Sequence, residues 1–145
     1  VVALEGVEAI LDGRARRLGK AAGARASGLN HVVLEADGRG APAHCHSHEE
    51  EIFVVLQGAA TLELWERGAT TPDEHPLGAG DVVSRPAGTG IAHTIRPRED
   101  EGVTYLAYGT RQPTDMRFYP ESGRVSIPGL GIALRSPEID HLPDL

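Results

Sequence analysis

Short apolar runs alternate with clusters of Gly, Pro and Asp through the middle of the chain, and helical periodicity is scarce. Runs rich in β-branched, aliphatic and aromatic residues predict strands over 31–35 (HVVLE), 52–57 (IFVVLQ), 61–66 (TLELWE), 81–84 (DVVS) and 103–108 (VTYLAY). In the third run Leu62 and Leu64 fall on one face and Glu63 on the other, the alternation of a half-buried sheet. Turn residues at Asp37-Gly38, Gln57-Gly58, Thr71-Pro72-Asp73, 78–80 and Ala87-Gly88 mark the places where strands should end. Many short, evenly spaced strands predict an all-β sandwich or barrel. Segment 7–11 fits either a helical turn or an added strand.

No repeat, linker or low-complexity stretch divides the chain, so residues 1–145 are expected to form a single domain. From Arg111 onward the sequence turns rich in Pro, Gly and charge, with isolated apolar residues such as Phe118, Tyr119, Ile127, Leu130 and Ile132. This tail is expected to wrap the barrel or a neighbouring subunit, or to be disordered over its last ten residues, 136–145.

Composition narrows the function classes. With 14 Lys and Arg against 21 Asp and Glu, the formal net charge is -7, and no basic stripe is available to neutralise nucleic-acid phosphates. The basic group Arg14, Arg16, Arg17 and Lys20 reads as a solvated face. A single cysteine cannot form an internal disulfide, and no apolar run approaches the length needed to span a bilayer. A cytoplasmic protein with neither nucleic-acid nor membrane partners is the expectation.

The candidate chemistry lies between Gly38 and Gly58, with one outlying residue. His44 and His46 are separated by one residue, so on a strand they project to the same side with Cα atoms roughly 6.6 Å apart. Glu51 follows in the same segment, and His93 returns from a distant strand. Imidazoles and a carboxylate that converge in this way suit one divalent transition metal ion, because bonds of about 2.0–2.2 Å require close convergence. Mn, Fe, Co, Ni, Cu and Zn all fit such a set. His48 could replace a histidine and Glu50 could replace Glu51, whereas Glu49 reads as solvated. Cys45 should point to the opposite face. His31, Phe53, Trp65 and Tyr105 read more readily as core or interface than as pocket wall, and His75 and His141 as loop residues.

These residues resemble the two motifs of the cupin superfamily. The first motif runs G, five residues, H, any, H, three or four residues, E, six residues, G, and it is matched by Gly38, His44, His46, Glu51 and Gly58. The second, G, five residues, P, any, G, two residues, H, three residues, N, is matched by Gly80, Pro86 and Gly88. His93 arrives two residues late there, and Pro97 stands in place of the terminal Asn. The runs HCHSHEEEIFVVLQG, RPAGTGIAH and YLAYGT resemble small single-domain bacterial cupins. The resemblance implies an antiparallel β-barrel, a cupin-like jelly roll, over about 30–109. Short N-terminal and C-terminal extensions flank it, the latter spanning 110–145. It also implies a metal held by His44, His46, Glu51 and His93, and a homodimer.

Four protein ligands on an octahedral ion leave two positions for a small molecule. The leading expectation is a metal-dependent oxidoreductase of the dioxygenase type, acting on a small oxygenated or carboxylated molecule. A metal-dependent isomerase or lyase and a non-catalytic small-molecule binding module are the alternatives. No separate catalytic acid or base is identifiable.

Overall fold

The computed structural model describes residues 1–135. Its strands are β1 (Ala9–Ile10), β2 (Ala15–Arg16), β3 (Ser27–Leu34), β4 (Cys45–His46), β5 (Glu51–Trp65), β6 (Asp73–Gly78), β7 (Val82–Arg85), β8 (Ala92–Pro97), β9 (Val103–Thr110), β10 (Arg117–Tyr119), β11 (Arg124–Ile127) and β12 (Ile132–Arg135). One short helix, Leu18–Ala21, and the 3-10 turns Leu4–Gly6 and Pro128–Leu130 complete the described elements. No helix among them is long and apolar enough to cross a membrane.

All strand pairings are antiparallel, and the fold is an all-β jelly roll. Two sheets share β5. Its first half lies between β9 and β7, and β9 continues through β3 and β2 to β1. Its second half lies between β6 and β8. From β8 a single bridge, His44 to His93, reaches a separate small sheet of four strands, β12, β11, β10 and β4. The core fills the space between the layers with Leu34, Phe53, Val55, Ala60, Leu62, Leu77, Ile95, Val103 and Tyr105.

Two predicted strands, 52–57 and 61–66, are one continuous strand that changes sheets at its middle. The expected turn at Gln57-Gly58 is instead a bend: the register shifts between Val55 and Gln57, and Gly58 takes a φ of 79°. Left-handed backbone strains any residue with a Cβ, and a Cβ on Gly58 would also collide with the Gly102 carbonyl. A glycine here lets one strand serve both layers.

Strand β6 is absent from the predicted set because Pro76 and the charged residues around it mask the alternation. It lies at a sheet edge, where a missing N–H is tolerated. Segment 7–11 resolves as strand β1, hairpinned onto β2. Within the N-terminal basic group, Arg14 and Arg16 are braces rather than solvated charges. Arg14 donates to the carbonyls of Leu11 and Arg39, and Arg16 to that of Val7. The tail beyond Arg111 builds β10, β11 and β12 onto β4, and the expectation for 136–145 lies outside the described residues.

Gly58→Ala should cost roughly 2–4 kcal/mol, the sum of left-handed strain and collision. Gly68→Ala, at a φ of 75° in open space, isolates the strain alone and should cost about 1 kcal/mol. Urea denaturation of both variants checks the difference.

Candidate metal centre

Each functional side chain is placed by a separate piece of the jelly roll. Residues 44–46 run antiparallel to β8, with His44 N–H donating to the His93 carbonyl at 3.1 Å and His93 N–H to the His44 carbonyl at 2.9 Å. Strand alternation then turns His44 and His46 into the interior and Cys45 out, beside Phe118. Glu51 opens β5 on the same inward face as Phe53 and Val55.

The three imidazoles converge on one carboxylate oxygen. Glu51 Oε2 lies 3.0 Å from His93 Nε2, 3.4 Å from His46 Nε2 and 3.8 Å from His44 Nε2. The opposite nitrogens of two rings are already engaged. His44 Nδ1 donates to the Pro42 carbonyl at 2.8 Å, and His46 Nδ1 to Asp115 Oδ2 at 2.8 Å. Those bonds set the tautomer, so the Nε2 lone pairs of His44 and His46 point inward. His46 Nε2 is buried and has no hydrogen-bond partner, as suits a nitrogen awaiting a cation.

Electrostatics keep His44 and Glu51 in ligand form. Burial lowers His44 to about 4, with the neighbouring His93 adding to the effect, so this ring is neutral at physiological pH. Burial by itself would raise Glu51, but the neighbouring His46 and His93 outweigh it and hold the carboxyl well below the usual range. Burial likewise opposes charge on His46, yet Glu51 and Asp115 raise its pKa overall. The neutral His44 imidazole beside the ionised Glu51 carboxylate offers donors that fit a divalent transition metal.

Behind this centre stands a second shell that sequence reasoning missed. Asp115 has 0% exposure. Its Oδ1 accepts from the backbone N–H groups of His48 and Glu49 at 3.0 and 3.2 Å, while its Oδ2 holds His46. Nothing in the spacing of the first motif points to a residue this far along the chain. The only available signal was the apolar and aromatic content of the tail around it.

The acidic run corrects one expectation. Glu49 is not solvated: it is 3% exposed, and its carboxylate accepts from Arg111 Nη1 at 3.1 Å, Gln112 N–H at 3.1 Å and Arg117 Nη2 at 3.3 Å. Glu50 and His48 turn outward instead, His48 engaging Ser47 Oγ, so neither competes for the centre. Phe53 and Tyr105 belong to the interior, Phe53 packing 5.5 Å from the His93 ring and edge-on to Tyr105 at 6.0 Å. His31, half-buried on β3, is outside the cluster of converging donors, and Trp65 donates to Glu63. His75 pairs with Asp73 on the edge strand, and His141 lies outside the described residues. A groove of about 1210 Å³ beside Cys45, Trp65 and Phe118 has none of the converging imidazoles in its lining.

A jelly roll whose interior gathers three histidines and a glutamate defines a class of small β-barrels with an internal ligand site. The chain belongs to the cupin family, whose domain model matches residues 30–108. Among solved structures, a cupin-superfamily sugar phosphate isomerase from Silicibacter pomeroyi is 30% identical. It covers 86% of this chain and 84% of its own, with a TM-score of 0.75. A protein named a candidate sugar phosphate isomerase, from Acidithiobacillus ferrooxidans, is 28% identical over 90% of this chain and 80% of its own, with a TM-score of 0.74. An oxalate decarboxylase from Lactobacillus farciminis shares the fold at 20% identity, covering 74% of this chain and 32% of its own, with a TM-score of 0.58. No curated protein matches.

Asp115→Asn keeps an acceptor for the two backbone donors but removes the charge that orients His46. Affinity for a divalent metal should fall about 10–100-fold, measured by competition with a chelator. Unchanged affinity would mean that packing alone orients the ring.

Proposed function

We propose that this chain is a metal-dependent isomerase acting on a small phosphorylated sugar, with His44, His46, Glu51 and His93 holding one divalent transition ion. The convergence of three Nε2 atoms within 3.8 Å of one Glu51 oxygen carries the metal assignment. Likeness to two sugar phosphate isomerases over most of both chains favours isomerisation above the oxygenase expected from the ligand set alone. When bound, the ion supplies Lewis-acid polarisation of a carbonyl or hydroxyl oxygen.

The chain's own residues do the remainder. Asp115 and the Pro42 carbonyl orient two rings, and Phe53 packs against the third, so the donors are preorganised. Burial raises the Tyr105 phenol well above its ordinary value, and the Glu51 charge adds to this. Tyr105 therefore keeps its proton, which makes it a hydrogen-bond donor to an interior ligand and unsuited to act as a base. Phe53 and Tyr105 together exclude water from that side of the centre.

A homodimer is part of the same proposal. The outer face of the large sheet carries Leu56 at 47% exposure, Val82 at 64% and Tyr108 at 40%, beside Ile52 and Leu106 on paired strands. Such a surface suits burial against a second copy.

His46→Ala should lose stoichiometric metal on elemental analysis of protein purified without chelators, whereas His75→Ala should retain it. Loaded protein should interconvert aldose and ketose phosphates without consuming oxygen. Oxygen uptake with substrate would transfer the assignment to a dioxygenase, and binding without turnover to a binding module. Val82→Glu should shift the elution volume at micromolar concentration from dimer to monomer, and a wild-type monomer would refute the pairing.

A further inference from the structure

Beyond His44, the small sheet of β4, β10, β11 and β12 carries a row of side chains that the metal centre does not use. His46 stands opposite Arg117 and Cys45 opposite Phe118, so His44 falls beside Tyr119. The rings of His44 and Tyr119 stack with centroids 5.4 Å apart. Tyr119 stands opposite Arg124, and Arg124 opposite Arg135. Residues directly opposite in an antiparallel ladder share a face, so His44, Tyr119, Arg124 and Arg135 form one cross-strand row.

The end of that row breaks a rule of sheet construction. Like charges directly opposite one another are destabilising, and Arg124 and Arg135 are such a pair. Both are exposed. Among the described residues neither forms an ion pair, and the Arg124 guanidinium packs over the Tyr119 ring, its Cζ 5.6 Å from the ring centroid. Glu121, in the adjoining turn, lines the groove on the opposite side. Two guanidinium forks side by side, with no ion pair among the described residues, are complementary to a doubly charged phosphate group. A departure from local consistency of this kind is expected where a ligand supplies the missing partner.

We propose that Arg124 and Arg135 bind the phosphate group of a phosphorylated substrate that lies across Tyr119 with its reacting end at His44. Strands about 4.8 Å apart place the two arginine backbones roughly 10 and 14 Å from that of His44, and long side chains can close part of the distance. The direction of the substrate rests on the isomerase reading above. The anion site itself stands on its own two arginines.

The experiment is titration of the full chain with inorganic phosphate at low salt, after chelation so that no metal can bind the anion. Calorimetry reads the affinity. Wild type should bind saturably, Arg124→Ala and Arg135→Ala should each weaken binding about tenfold or more, and Arg98→Ala should not. Metal content should be equal in all four proteins. With a sugar phosphate as substrate, the two variants should raise KM and largely spare kcat. No saturable binding to wild type, or equal affinity in all four, overturns the proposal. Binding that is lost in the two variants without any isomerase turnover keeps the anion site and rejects only the isomerase reading.

Discussion

The structure turns on one half-buried carboxylate at the meeting point of three histidines. Glu51 occupies an interior where an isolated charge is costly, and only groups that favour its ionised form can keep it there. His46 and His93 do so, with His44 beside them, and each comes from a position that the fold must hold: His44 and His46 on the segment entering β4, His93 on β8. The bend at Gly58 then carries β5 from the sheet that bears Glu51 to the sheet that pairs with His93. Strand order, bend and ligand set are thus one problem with one solution. The electrostatic state follows, because the neighbourhood that ionises Glu51 also keeps His44 neutral and so leaves its lone pair available.

A second buried acidic pair explains why the chain does not stop at the end of β9. Glu49 and Asp115 are both buried beside His46, and their charges are balanced by Arg111 and Arg117 from the segment that follows β9. Removing one member would leave another buried charge without its partner, so these residues are expected to form and open together. The segment beyond Arg111 is therefore a structural part of the centre. It fixes His46 through Asp115, packs Tyr119 on His44, and extends the interior face of the small sheet toward Arg124 and Arg135.

Much of the centre was legible because its first part is local. A histidine pair at a spacing of two reports a strand face directly, and Glu51 follows within one turn of the chain. Among three consecutive glutamates the choice was harder. Glu50 turns to solvent, Glu51 meets the histidines, and Glu49 meets arginines more than sixty residues away, which no local pattern encodes. Asp115 was invisible for the same reason: it is 69 residues from His46. The strand set was readable where alternation was clean and lost where Pro76 sits on an edge or where β4 and β10 are too short to show a period.

Fold class and family were readable from the chain alone, and so was the nomination of His44, His46, Glu51 and His93 as candidates for one centre. Those properties rest on strand alternation and motif spacing, which are visible within a few residues. Tertiary structure alone decided that β5 runs unbroken through Gly58, that Glu49 is buried, that Asp115 orients His46, and that two arginines meet across β11 and β12. Each of these is a pairing between distant segments. Its free energy depends on burial and on the charge placed opposite, quantities that exist only once the sheets have closed on one another.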